Sequence, residues 1–172
     1  MAIPNRHCRL PQVVAGARTF FVTSSIAERR NLLQSDRSAA LFLRVLYDYR
    51  AQQRYRLHEF VVMPDHFHLL ITVGSEISIE KAVQFIKGGF AFRAGKTFGF
   101  SAPVWQRGFS EVRVSDCEAF ERIREYIRKN PVRRHLVLEA AEFPHSSAHQ
   151  GFELDPPPQG LKPSEICYQR HG

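Results

Sequence analysis

The residues of this chain best spaced for chemistry are two histidines separated by one apolar residue, His66-Phe67-His68. They sit in Val61-Val62-Met63-Pro64-Asp65-His66-Phe67-His68-Leu69-Leu70-Ile71-Thr72-Val73, a run whose β-branched and apolar content predicts strand. Residues i and i+2 of a strand share a face, so the two imidazoles project together while Phe67 turns the other way into a core. Two adjacent imidazoles are two-thirds of a metal site that keeps open positions for substrate. Such a pair also arises by chance in a chain with 8 histidines. It needs a third ligand and a reacting group.

Both can be sought on a helix near the C-terminal side. Phe120, Ile123 and Ile127 are spaced as its buried stripe, and Tyr126 lies roughly 90° round from the middle of that stripe. Asn130 follows one turn beyond Tyr126 on nearly the same face. Two readings stay open from helical geometry. The phenol and carboxamide look along the sheet surface, the carboxamide oxygen serving as third ligand; or Tyr126 packs at the core rim and Asn130 merely ends the helix. Arg128, Lys129, Arg133 and Arg134 crowd the helix end. Cations there favour the helix C-terminus by ~0.3–1 kcal/mol each, and the same charges could neutralise phosphate.

The elements that must position these groups are legible in outline. Arg18 to Thr23 reads as a first strand. Ser35 or Asp36 caps a helix to about Gln53 with Leu41, Val45, Leu46 and Tyr49 on its apolar face. Tyr55–Met63 and Phe67–Val73 form a hairpin around Pro64-Asp65. Ile79, Ala82, Val83, Ile86 and Phe90 predict a second helix. Gly88-Gly89 within it signals either a helix end or kink, or a close approach of a backbone or phosphate. Phe109–Val114 is a last strand, and Ser115 or Asp116 caps a third helix ending at Asn130-Pro131. The order β-α-β-β-α-β with a further helix predicts an α+β fold of the ferredoxin-like class, an antiparallel sheet with helices on one face. Residues 1–147 read as one domain, and 148–172 as a Pro-rich extended tail.

Composition sets the class of partner. The 172 residues carry a net charge of +7, which favours a polyanionic partner. Apolar residues make up 44%, enough for one normal core. Three scattered cysteines, with no Cys-x-x-Cys pair, support neither a disulfide framework nor a zinc ribbon. No apolar run approaches a membrane span, and Met1 to Gly16 lacks the core of a secretory leader, so the expected compartment is the cytoplasm with no membrane partner.

Taken together, these residues resemble a known family. His66-Phe67-His68 fits the His-hydrophobic-His signature of HUH single-strand nucleases. Glu125-Tyr126-Ile127-Arg128-Lys129-Asn130-Pro131-Val132-Arg133 is similar to the tyrosine helix of single-tyrosine HUH (IS200-like) transposases, especially the REP-associated tyrosine transposase branch. Val61 to Leu70, Ile86-Lys87-Gly88 and Val104-Trp105-Gln106-Arg107-Gly108-Phe109 resemble further segments of that family, in the right order, from about Thr19 to Ser147. The resemblance implies a divalent cation on His66 and His68, completed by Asn130, with Tyr126 as nucleophile. The expected cation is Mg²⁺, with Mn²⁺ active in vitro because it accepts imidazole more readily.

A free phenol titrates near 10, leaving ~0.1% phenolate at pH 7, so a cation that polarises the scissile phosphate is what the chemistry asks for. The implied reaction is transesterification on single-stranded DNA beside a hairpin, giving a 5′-phosphotyrosine link and a free 3′-hydroxyl. Lys87, Arg93, Lys96, Arg107 and Arg113, with the four cations of the tyrosine helix, read either as phosphate contacts or as ordinary solvated charges, and Trp105 either as a base-stacking residue or, as lone tryptophans more often are, as core. Replication initiators and relaxases share this chemistry. A non-catalytic hairpin-DNA or RNA-binding protein with the same fold is the alternative of a different class, and a small structural metalloprotein a third. A monomer and a homodimer are both compatible with the sequence.

Overall fold

The structure is a computed structural model that describes residues 16–163. Four strands, β1 (Arg18–Ser25), β2 (Arg56–Met63), β3 (His66–Val73) and β4 (Ser110–Val114), form one sheet in the order β2-β3-β1-β4 with every neighbouring pair antiparallel. Helices α1 (Asp36–Ala51), α2 (Ile79–Phe98) and α3 (Cys117–Arg133) complete the α+β fold expected from the sequence. Ser35, Ser78 and Asp116 cap them, each side chain accepting a backbone N–H three residues on. Among the described residues no helix is long and apolar enough to cross a membrane.

The sheet is covered on both sides, which corrects the one-sided expectation. Alternate residues of β1 and β3, including Phe20, Val22, Phe67, Leu69 and Ile71, join Phe42, Val45, Leu46, Val83, Ile86 and Phe90 of α1 and α2 in the main core. Val61, Met63, Leu70 and Val114 project from the other face and pack with Phe120 and Ile127 of α3. The physical reason lies in β2 and β3, which are buried along nearly their whole length. A strand buried on both faces needs a second layer.

β2 changes phase on the way. A bulge between Leu57 and Glu59 adds one residue against β3. Leu57 faces the main core, as do Phe60 and Val62, whereas Val61 and Met63 face α3. Such an insertion shifts the two-residue alternation by one and moves every later side chain to the opposite face.

Two helix expectations change. α2 runs unbroken through Gly88-Gly89. A Cβ on Gly89 would stand 2.9 Å from Tyr49 Cε2 and 3.1 Å from Val45 Cγ1, so this glycine lets α1 approach, whereas Gly88 meets open space. α3 continues past Asn130-Pro131 to Arg133, with Pro131 inside it. Arg134 N–H donates to Asn130 O at 3.0 Å and Leu136 N–H to Pro131 O at 2.9 Å, which closes the turn despite the missing proline donor.

The chain from His145 to Asp155 docks on the sheet, with turns up to Gly151. Val62 N–H donates to His145 O (2.9 Å), Ser147 N–H to Phe60 O (3.0 Å) and Asp155 N–H to Leu57 O (2.8 Å), so the chain lines the outer edge of β2. Asp155 accepts two guanidinium bonds from Arg50 (2.9 and 3.0 Å) and the Leu57 N–H (2.7 Å). Lys162 then bonds through its backbone to Ser115 and Cys117 beside the start of α3. The remainder of the expected tail, and the residues before Gly16, lie outside the described residues.

Candidate active site

β3 places the two histidines as its alternation requires. His66 and His68 project toward the α3 side, their ring centroids 4.8 Å apart, and Phe67 is fully buried in the main core. Each ring is held through Nδ1. His66 Nδ1 lies 2.6 Å from Asp65 Oδ1, and Asp65 is held in turn by Arg29 Nε at 2.9 Å. An ionised carboxylate only accepts, so this bond assigns the proton to Nδ1 and leaves the lone pair on Nε2. His68 Nδ1 lies 2.7 Å from Thr23 Oγ1 on β1, the residue paired with it across the sheet.

Burial disfavours the charged form of both rings. Burial pushes His66 below its ordinary value, more strongly than the Asp65 carboxylate pulls it up. Burial, then the charges of His66 and Arg134, push His68 down to about 3. Burial works to raise Asp65, but the His66 hydrogen bond, with His66 and Arg29 nearby, outweighs it and holds the carboxyl below its usual range. Two neutral imidazoles with anchored Nδ1 atoms are the form in which histidine ligates a metal.

α3 brings Tyr126 to the same place. Its ring stands edge-on to His68 at 5.5 Å and to Phe21 at 5.8 Å, and Phe21 stacks on His68 at 5.5 Å. The phenol is 36% exposed, open to a substrate. The Arg133 guanidinium lies 5.3 Å from the Tyr126 ring centroid. Asn130 is buried at 3% exposure, and its Oδ1 has no hydrogen-bond partner. An unpaired buried acceptor costs about 1–3 kcal/mol, so this one needs a reason.

The donor set fits a divalent cation. The Nε2 lone pair of His66, the neighbouring His68 imidazole and an unpaired carboxamide oxygen match an ion that takes mixed nitrogen and oxygen ligands. Among the described residues no three His, Cys, Asp or Glu side chains gather into a metal-holding group. The Asn130 carboxamide, one turn beyond Tyr126 on α3, is the candidate third ligand.

The candidate phosphate contacts divide. Arg133 and Arg134 stand beside Tyr126 and the histidines. Arg107 lines a shallow cleft of about 360 Å³ with Thr23, Ser24, Ser25 and Gly108, at the histidine end of the sheet. Arg128 is held at 3.2 Å by Glu59, which is fully buried, and Lys129 at 2.6 Å by Glu125. Arg93 pairs with Asp48 at 2.6 Å, and Lys87 Nζ donates to the carbonyls of Gln106 (3.1 Å) and Gly108 (2.6 Å). Arg113 shares the face of Phe20, away from the histidines, its guanidinium 5.5 Å from that ring. For Trp105 the structure takes the core reading over the base-stacking one. It is a core residue, packed on Phe42, Phe67 and Phe90, with Nε1 donating to Lys87 O at 2.8 Å. A buried ring has no free face for a base.

Thr23, Phe21, Arg29 and Glu59 were not singled out from the sequence. Asp65 carried a signal, since it adjoins His66. Thr23 and Phe21 carried none until the β1–β3 register is known.

The fold is shared with known proteins. The family model for IS200-like transposases matches residues 19–130. The structure of the REP-associated tyrosine transposase bound to a REP hairpin has the same fold. Its TM-score is 0.61 at 20% identity, over 84% of this chain and 92% of that one. A crystal structure of a candidate transposase from Deinococcus radiodurans R1 is also similar, with a TM-score of 0.51 at 24% identity, over 63% of this chain and 87% of that one. No curated protein sequence gives a significant match. With well over half of its length matched by one family model, across the strands of the histidines and the helix of Tyr126, the chain belongs to the IS200-like transposase family.

Proposed function

We propose that this chain cleaves and rejoins single-stranded DNA beside a hairpin by transesterification, with Tyr126 as nucleophile. The observation that carries this reading is the meeting of Tyr126 with His68 at 5.5 Å, beside two histidines anchored through Nδ1 and a buried Asn130 oxygen without a partner. His66, His68 and Asn130 would hold a divalent cation, Mg²⁺ in the cell and Mn²⁺ in vitro. When bound, that ion supplies polarisation of the phosphate and stabilisation of charge on the leaving oxygen.

The chain's own residues do the rest. Phe21 and His68 flank the phenol ring edge-on. Arg133 and Arg134 put positive charge where a phosphate must come. The Tyr126 oxygen bonds to phosphorus as the bond from phosphorus to the 3′ oxygen breaks. The phenol proton leaves to solvent, and the freed 3′ oxygen takes one up. The phosphotyrosine conserves the phosphodiester for rejoining, so no nucleotide cofactor is needed. α3 docks on its own sheet, so nucleophile and cation-holding residues of one chain would act together. The similar structure carries a REP hairpin, which supports hairpin DNA as partner.

The test is a covalent-adduct assay with labelled single-stranded DNA from the flanks of the gene. An SDS-resistant band is expected with Mn²⁺, and none with EDTA or with Tyr126→Phe. A band that survives Tyr126→Phe would remove Tyr126 from the role. Tight binding with no adduct under any condition would favour a hairpin-binding protein without catalysis.

A further inference from the structure

We propose that Glu59 is a positioning residue for Tyr126, setting the roll of α3 on the sheet through Arg124 and Arg128. This rests on the reading of Tyr126 as nucleophile. Glu59 is fully buried, yet it carries a carboxylate. One oxygen lies 3.2 Å from Arg124 Nε and the other 3.2 Å from Arg128 Nε. Ser147 Oγ donates a further hydrogen bond to it, and Ser147 also accepts the Phe60 N–H at 2.8 Å. A buried carboxylate is tolerated where it is paired and hydrogen-bonded, and Glu59 is paired with two guanidinium groups and accepts hydrogen bonds from Arg124 and Ser147.

Its place is made by the bulge in β2. In unbroken two-residue alternation from Leu57, Glu59 would share its phase and point into the main core. With the bulge, both His58 and Glu59 reach the α3 side: His58 meets Phe120 at 5.4 Å in the first turns, and Glu59 meets Arg124 and Arg128 further along.

The helix geometry gives the clamp its consequence. At ~100° per residue, Arg124 and Arg128 lie on one flank of the buried stripe that holds Phe120, Ile127 and Asn130, and Tyr126 lies on the opposite flank. One flank is tied to β2 and the other presents the phenol over His68 and Phe21 of β3 and β1. Rolling the helix by roughly 10° moves a side-chain tip ~5–6 Å from its axis by about 1 Å. A misplacement of about 1 Å can cost ~10²-fold in rate.

The experiment compares wild type, Glu59→Gln and Arg128→Gln, using flanking single-stranded DNA with its hairpin and Mn²⁺. Adduct formation is followed in single turnover at saturating DNA, with the DNA Kd and the melting midpoint measured in parallel. Glu59→Gln is expected to slow adduct formation by about 10–100-fold, with Kd within about threefold and the protein folded at assay temperature. Arg128→Gln should slow it less, by more than any accompanying change in Kd accounts for. A rate equal to wild type, or a loss that only follows Kd or the folded fraction, overturns the proposal. Should Glu59→Gln not fold, Arg128→Gln decides by the same criteria. The nuclear Overhauser contact between the His68 and Tyr126 rings, read without metal or DNA, separates the two claims. No adduct from wild type defeats the nuclease reading. A ring contact unchanged in Glu59→Gln defeats the positioning role.

Discussion

An imidazole offers a cation one lone pair, and the hydrogen bond at the other nitrogen decides which atom carries it. In this chain Asp65 makes that choice for His66, and Thr23 orients His68. Thr23→Val keeps the shape of the side chain and removes its hydroxyl. The expected result is a fall in Mn²⁺ affinity of about 10–100-fold, measured by titration calorimetry. An unchanged affinity would mean that the Thr23 hydroxyl plays no part in presenting His68 to the ion. At this scale the sequence showed the reactive types and their spacing, because i, i+2 on a strand and i, i+4 on a helix are properties of a few bonds. It did not show Thr23, which meets His68 from 45 residues away.

At the scale of elements, the two glycines of α2 separate propensity from packing. Gly88→Ala adds a methyl group into open space and should stabilise by about 1 kcal/mol, the helical preference of alanine. Gly89→Ala drives the same methyl group against Tyr49, whose ring is itself stacked on Phe85 at 5.2 Å, and against Val45. It should destabilise by about 1–3 kcal/mol, as overpacking does. Urea denaturation of the two variants checks the sign of each. The sequence announced the elements and their caps, since Ser35, Ser78 and Asp116 are local signals. It did not announce which helix would approach Gly89, nor that α3 would run past Pro131, where later N–H groups close the turn.

At the scale of the molecule, a chain of buried polar contacts ties the C-terminal segment to the sheet. Thr19 Oγ1 lies 2.7 Å from Thr72 Oγ1, which lies 2.7 Å from His58 Nε2, and His58 Nδ1 reaches Asp155 O at 3.2 Å. Burial pushes His58 below its ordinary value, outweighing the Asp155 hydrogen bond. The unfolded chain therefore takes up a proton near pH 6.5 that the folded chain refuses, and stability falls as pH drops from that point. Asp155 adds a second loss at lower pH. Burial works to raise it, but the Arg50 pair and the Leu57 N–H hold it below the usual carboxylate range. Its contribution is complete above about 3.9 and disappears as pH falls through the folded value. Denaturation at pH 7.5 and 5.5 should show a lower midpoint in acid. His58→Gln should shrink that difference, although His66 and His68 contribute to the same slope. A difference unchanged in His58→Gln would show that His58 does not carry it.

What the sequence alone determined is what a short stretch of backbone dictates: the strand that sets two histidines on one face, the helix that spaces Tyr126 and Asn130 by a turn, the caps, and the order β-α-β-β-α-β. The tertiary structure decided the rest. It put α3 on the face opposite α1 and α2, buried Trp105, spent Arg93, Arg128 and Lys129 on carboxylates, and turned Glu59 toward the tyrosine helix through one extra residue in β2. Each of these depends on pairing register or on contacts between distant residues, Glu59 and Arg124 being 65 apart. Composition and periodicity within a window of a few turns carry no information about such partners, because the pairing is chosen by the packing of the whole chain.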